Sequence, residues 1–437
     1  MGDVALTVNE LARRIERTYL VLMLGNTLAA SFIWGINTLF LLDAGLSNLE
    51  AFAANAFFTA GMVVFEIPTG VVADTWGRRT SYLLGTLTLS GSTFLYWVLW
   101  VTSAPFWAWA VVSMLLGLGF TFFSGAVEAW LVDALHHAGH DGGLEAVLGR
   151  GQMVGGVAML GGSVAGGVIA QASSLGVPFL LRVAVLLAMF AVAYRLMHDL
   201  GFTPARREAP LQATRQVLEA SLEHGLGNPP VRWVMLAAPF ASGVGFYTFY
   251  ALQPFLLELY GDPDAYAVAG LAAAIVAGSQ ILGGWAAPRI RRLFAKRTTA
   301  LILGGTVSAL ILALLGVVGS FWLALFLLVL WGLIFAADMP IRQAYLNDMI
   351  PSQQRATVLS FDSLMGSSGG VVIQPVLGKT ADAYSYATSF LVGSVFQLLA
   401  VPFLVRSRRE GAPADTAVGS SDAEPTAHPK DEPPLAA

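Results

Sequence analysis

Glu66-Ile67-Pro68-Thr69-Gly70-Val71-Val72-Ala73-Asp74-Thr75-Trp76-Gly77-Arg78-Arg79 closes one apolar run of the chain and opens the next. The run before it has the length of a membrane helix, and the charges that end it mark the return to water. Gly77 lets the backbone turn tightly between two helices. Arg78 and Arg79 hold that turn on the cytoplasmic side, where basic residues collect. Asp74 sits at the helix end and can accept hydrogen bonds from the backbone donors of a neighbouring helix N-terminus, where the dipole is positive.

Outward from this stretch the apolar pattern recurs. Runs of about 20 residues, enough to cross roughly 30 Å of hydrocarbon, lie near 19–42, 49–73, 80–103, 106–134, 152–172, 177–198, 231–257, 266–288, 298–318, 321–347, 356–378 and 385–405. They predict an all-α membrane protein of twelve transmembrane helices. Glycine and proline inside the runs do not argue against helix in a membrane. Composition agrees, with 56% of the 437 residues hydrophobic and only 12% charged, where a soluble chain carries about a quarter. The net charge of −4 says little, because charge is segregated along the chain. The lack of cysteine excludes disulfides, iron–sulfur clusters and cysteine-ligated zinc. Lysine occurs only at Lys296, Lys379 and Lys430, and this arginine-for-lysine habit is that of a GC-rich bacterial genome. The expected location is the bacterial cytoplasmic (inner) membrane, multi-pass. The run from Tyr19 is too long for a cleavable signal and lacks a small-residue cleavage site, so it is read as a first helix that stays.

Basic residues set the expected orientation. With the N-terminus inside, alternate crossings place Arg13, Arg14, Arg17, Arg78, Arg79, Arg150, Arg195, Arg206, Arg207, Arg215 and Arg232 in the cytoplasm or at helix ends facing it. Arg289, Arg291, Arg292, Lys296, Arg297, Arg342, Arg355, Arg406, Arg408, Arg409 and Lys430 join them. Lys379 remains outside, and Arg182, partway into helix six, is expected to snorkel outward. The positive-inside rule then gives N-in and C-in, with six helices on either side of a central loop. The expected organisation is a cytoplasmic N-terminal segment 1–18, a first six-helix bundle 19–198 and a central cytoplasmic loop 199–230. A second bundle 231–405 and a disordered cytoplasmic tail 406–437, rich in Pro, Ala, Asp and Glu, complete it. In the loop, Leu211, Leu218 and Leu222 share one face of a short amphipathic helix that Asn228-Pro229-Pro230 stops.

The two halves repeat. Glu128-Ala129-Trp130-Leu131-Val132-Asp133 lines up with Gln343-Ala344-Tyr345-Leu346-Asn347-Asp348, and Gly117-Leu118 with Gly332-Leu333 at the same offset. Arg150 and Gly161-Gly162-Ser163 align in turn with Arg355 and Gly366-Ser367-Ser368. Duplicated bundles imply a site at their interface and rocking of one bundle against the other.

Gly70, Asp74, Gly77, Arg78 and Arg79 resemble the signature of the major facilitator superfamily (MFS), Gly-x-x-x-Asp-(Arg/Lys)-x-Gly-(Arg/Lys)-(Arg/Lys), which falls between helices two and three. Thr75 stands where the family has a basic residue, and the second-half counterpart, Gly284 to Arg289, has lost its acid. The resemblance implies an MFS fold of two pseudo-symmetric six-helix bundles. It also implies that Asp74 meets the start of helix eleven, near Arg355, and closes a cytoplasmic gate. Ala158 to Gly167 is similar to the helix-five pattern of bacterial drug:proton antiporters, keeping Gly162, Gly166 and Gly167 but with Ser163 for proline. Close packing through small residues explains that stretch equally well. Ser113 occupies the position where the family often has arginine in helix four.

Ionisable groups inside a bilayer are costly and mark function. Glu128, Glu66, Asp338 and Asp362 are the proton-coupling candidates, with Glu128 first because no basic residue lies within helical reach. Asp338 and Arg342, four apart, can pair on one helix face. Glu66 and Asp362 lie at similar depths and could face each other, or Glu66 could bond the backbone groups that Pro68 frees. In the family's arrangement helices one, four, seven and ten line the cavity. Substrate-binding candidates are therefore Asn26, Trp34, Asn37, Phe123, Phe246, Tyr247, Tyr250, Gln253, Trp331 and Phe335. An aromatic cavity with few polar groups suits apolar or cationic organic compounds. The expected function is proton-coupled efflux of drug-like molecules by a monomer. The alternative is uptake or exchange of a polar metabolite, for which more Arg, Asn and Gln would line the cavity. No enzyme, cofactor, metal or nucleic-acid role is expected. Gly378-Lys379-Thr380 lacks the upstream glycine of a phosphate loop, and His136, His137 and His140 are read as solvated loop residues.

Overall fold

A computed structural model describes residues 8–123, 125–139, 144–204, 221–350 and 355–416. Fourteen α-helices make up nearly all of it, and no strand occurs among the described residues. The first half holds α1 (Val8–Trp34), α2 (Asn37–Asp43), α3 (Asn48–Trp76), α4 (Arg78–Val101), α5 (Phe106–Phe123), α6 (Ala126–His137), α7 (Leu144–Ala172) and α8 (Gly176–Leu196). The second holds α9 (Pro229–Tyr260), α10 (Tyr266–Arg292), α11 (Arg297–Leu315), α12 (Phe321–Met349), α13 (Arg355–Ala383) and α14 (Tyr386–Arg409). Leu211 and Leu218 of the central loop, Arg206, Arg207, Arg215, His140 and the tail from residue 417 lie outside the described residues.

Ten spans are long and apolar enough to cross a membrane, counting α5 and α6 as one. The pair α1 and α2, bent by 47°, makes an eleventh if it is one span. The expectation of twelve exceeds what length and apolarity establish. The shortfall is α13, whose polar run Gly366-Ser367-Ser368-Gly369-Gly370 is interrupted by no large apolar side chain and whose ends carry Asp362, Lys379 and Asp382.

Packing repeats as the sequence does. In the first half α1 lies on α7 and α8, α3 on α5, and α4 on α8; in the second α9 lies on α13 and α14, α10 on α12, and α11 on α14. The halves meet where α3 lies along α13 and α7 along α10. Successive helices run in opposite directions, so their ends alternate between a terminal end, which holds the start of α1 and the end of α14, and a distal end.

Local sequence explains the individual rods. Ser47 and Glu50 form a reciprocal capping box that starts α3. Next to Pro68 inside α3, the Thr69 hydroxyl donates back to the carbonyls of Phe65 (2.8 Å) and Glu66 (3.2 Å) of its own helix. The small residues of α7 serve contact: a Cβ on Gly166 would stand 2.0 Å from the Phe32 carbonyl oxygen, and one on Gly167 2.4 Å from that of Tyr266. The start of the tail is ordered against the terminal end, where buried Asp415 accepts from the Thr298 N–H and hydroxyl, both at 2.8 Å.

Candidate functional site

At the distal end the halves are bolted together. The α1–α2 break removes the bond that Thr38 N–H would make to the Trp34 carbonyl four residues back. The Gln253 side chain of α9 takes its place: the Thr38 N–H donates to Gln253 Oε1 (2.9 Å), and Gln253 Nε2 donates to the Trp34 carbonyl (2.7 Å). A side chain inserted into a helix ladder is a known cause of a sharp bend, and here it comes from the opposite half. The Thr38 hydroxyl donates to the Tyr250 carbonyl at 2.9 Å. Two helix N-termini are capped across the seam as well. Asp382, at the end of α13, accepts from the Asn48 and Leu49 N–H groups, both at 2.8 Å. Gln171, at the end of α7, accepts from Ala267 N–H at 3.0 Å. The Tyr386 hydroxyl donates to the Asn48 side chain. Deeper in the seam Gln374 approaches Thr59 at 3.5 Å. Every hydrogen bond joining described residues across the halves lies in this distal half.

The terminal end is organised within each half instead. Asp74 pairs with Arg78 at 2.5 Å, one turn along, and is half exposed. Residues 351–354, beside the expected contact near Arg355, lie outside the described residues, and the described partner of Asp74 is Arg78. Gly77, at φ +102°, caps α4; a Cβ there would be 2.2 Å from Asp199, whose carboxylate accepts the Arg79 N–H at 2.9 Å. Burial pushes the Asp199 carboxyl up, against the pull of that bond and of the Arg79 and Arg78 charges. Arg79 donates to the Tyr194 carbonyl and lies over its ring, and Arg78 comes within 3.9 Å of Asp133. The signature thus clamps the first half to itself. Gly70 is exposed with open space where a Cβ would go.

The interior charges differ from expectation in two respects. Arg342 pairs with Asp362 of α13, in a two-pronged bond of 2.5 and 2.6 Å, and not with Asp338. The guanidinium reaches α13 because α12 and α13 are adjacent there, whereas Asp338 packs against Gly304 of α11. With Asp362 occupied, it forms no pair with Glu66, which is exposed on α3. Glu128 lies in the first turn of α6, half-buried, with Tyr19 of α1 as an electrostatic neighbour. His136 and His137 belong to the last turn of α6 and not to the loop beyond it.

The ten lining candidates separate into three groups. Tyr247 and Trp331 are core, Tyr247 packed on Phe52 at 4.6 Å and bonded to the Ser389 hydroxyl, Trp331 stacked on Phe335 at 5.1 Å. Gln253 belongs to the distal bolt, and Asn37 is held within the first half, donating to Asn55 Oδ1 at 3.0 Å. Asn26, Trp34, Phe123, Phe246, Tyr250 and Phe335 keep partial exposure. Asn26 accepts from the Tyr82 hydroxyl at 2.7 Å while its Nδ2 stays unpartnered, and Phe123 packs on Tyr82 at 4.7 Å. Sequence reasoning missed Asn55 and Gln374, whose Nδ2 and Oε1 are buried without partners, and Asp382 and Gln171 at the distal seam. Amides inside apolar runs were the available signal for the first two.

The sequence pattern described as "Major Facilitator Superfamily" matches residues 19–335 and 291–429. No curated protein matches the chain significantly. Among solved structures, a point mutant of the nucleoside transporter NupG superposes with a TM-score of 0.76 at 14% identity, covering 91% of this chain and 99% of that one. A D-xylose-proton symporter gives 0.62 at 17% identity, covering 90% and 96%. A bacterial homologue of the human lysosomal transporter Spinster, in an inward-facing and occupied conformation, gives 0.69 at 15%, covering 91% and 97%. At such identities the likeness speaks to fold alone, and the matched pattern spans the chain from the first helix to the tail. The chain belongs to the Major Facilitator Superfamily.

Proposed function

We propose that this protein is a proton-coupled secondary transporter that carries a small polar organic solute by alternating access. One observation carries the reading: among the described residues, two bundles of repeated packing are hydrogen-bonded to each other only in their distal halves. Such an arrangement is one of the two end states of a rocking cycle. The basic residues of the terminal end, Arg78, Arg79, Arg195, Arg232, Arg289 and Arg297, support N-in and C-in, which makes this the cytoplasm-facing state. On that reading α13 is the twelfth crossing, its polar face turned to protein, in the cytoplasmic membrane of a bacterium.

Unpartnered amide groups on Asn26, Asn55 and Gln374 favour a polar cargo, since a ligand can satisfy buried donors and acceptors that the protein leaves open. Glu128 is the proposed proton carrier. It is a half-buried carboxylate without a basic partner among the described residues, on a helix whose start at Gly125 is broken from α5. Exchange of its proton as access alternates would couple solute to the gradient. A second reading, efflux of drug-like compounds, is favoured by the aromatic group Trp34, Phe249 and Tyr250, whose rings meet edge to face at 6.2 and 5.3 Å.

Transport in inside-out vesicles, across polar metabolites and apolar cations, with and without an imposed pH gradient, separates the two. Glu128→Gln should abolish gradient-driven accumulation while leaving exchange down a solute gradient intact. Normal uphill transport by that variant removes Glu128 from the mechanism.

A further inference from the structure

Arg182 was expected to snorkel out of the membrane, and the structure turns it the other way. On α8 it lies three residues after Phe179 and four before Leu186, and both of these are buried. Positions three and four apart share a helix face, so Arg182 points into the first half. Phe179 stacks on Phe40 of α2 at 3.8 Å, which fixes that face against the broken first helix. The residue is mostly enclosed by protein. Neither a hydrogen bond nor an ion pair reaches it among the described residues, and its Nε is buried without a partner. Its electrostatic neighbours are two phenols and no carboxylate. One is Tyr96 of α4, whose hydroxyl lies 2.5 Å from the Ser113 hydroxyl of α5. The other is Tyr250 of α9, in the opposite half, beside the distal bolt.

A cation in a low-dielectric interior needs a counter-charge, and among the described residues none lies beside Arg182. Resting on the transporter reading above, we propose that Arg182, with the hydroxyls of Tyr96, Ser113 and Tyr250, binds the carboxylate of an organic monoanion as cargo. One guanidinium with neutral hydroxyl donors balances one negative charge. A phosphate dianion would bring a second charge that nothing here neutralises. The site also bridges the halves, because Tyr250 moves with the second bundle while the other three residues move with the first. A bound carboxylate therefore favours the distally closed state through its differential contacts.

The test uses the purified full-length protein in nanodiscs and follows thermal stability. Straight-chain monocarboxylates from acetate to decanoate, and benzoate, are each compared with the matching primary amide. The expected result is that one or more carboxylates stabilise the wild type and their amides do not. Arg182→Lys should weaken that binding, and Arg182→Gln should lower affinity by about 10- to 100-fold, the scale of a charge-assisted hydrogen bond. The wild-type comparison stands alone if Arg182→Gln folds poorly. Stabilisation by amides as strong as by acids, no response to any acid, or an unchanged response in Arg182→Gln overturns the proposal. The transporter reading is scored separately in vesicles: gradient-driven movement of a neutral or cationic solute that is unaffected by Arg182→Gln sinks the anion site and leaves the transporter standing. No movement of any solute sinks the transporter reading.

Discussion

Replacing Gln253 by leucine should open the distal gate more than any other single change. The side chain is fully buried, and both ends of its amide occupy groups that the α1 break leaves over. Leucine keeps most of the volume and bonds neither. With the gate shut, the Trp34 carbonyl and the Thr38 N–H are then left without partners, at a cost of about 1–3 kcal/mol each. In the distally open state water reaches both, and the cost disappears. The closed-to-open ratio should therefore fall by roughly 2–6 kcal/mol, or about 30-fold to 10⁴-fold. The chain has no cysteine, so Thr59→Cys provides a single thiol at a seam position that is 1% exposed. Its reaction with a membrane-impermeant maleimide from the distal side measures the open fraction directly. The labelling rate should rise at least about 30-fold in Gln253→Leu. An unchanged rate in a folded variant would mean that α1 straightens and closes its own ladder, and the reasoning from the inserted amide would be refuted.

Three further outcomes follow from the same geometry. Asp382→Ala removes an exposed cap from the N-terminus of α3, so its effect on the same labelling rate should be smaller, about 5- to 30-fold for roughly 1–2 kcal/mol; a larger effect than Gln253→Leu contradicts the ranking by burial. Arg342→Met leaves Asp362 buried without its partner and should cost about 3–5 kcal/mol of stability. Adding Asp362→Leu should recover most of that in a thermal melt, and a double variant no better than the single speaks against the pair. At Asp199, a carboxyl raised by burial lends its stability below the unfolded value and loses it as pH rises through the folded one. The stability of wild type relative to Asp199→Asn should therefore decline from about pH 4 toward neutrality, and a flat difference removes the burial argument.

The family was legible from a few residues whose meaning is local. Gly77 must turn, and it does so at φ +102°. Arg78 and Arg79 must leave the apolar layer, and the repeat of Arg150 to Ser163 in Arg355 to Ser368 implies two bundles that pack alike. Periodic apolar runs carry this information because each span must satisfy its own backbone and present apolar atoms to lipid, whatever its neighbours do. The tertiary structure alone decided the partners. Arg342 has an acid four residues back on its own helix and binds one on the next helix instead. Gln253 reads as a lining residue and proves to be a stand-in for a peptide group 215 positions away. Arg182 faces inward although its place near a helix end allows it to reach water. Helical spacing fixes which side of a rod a residue occupies, but which rod lies against that side depends on how the two halves dock, and only the folded chain records that.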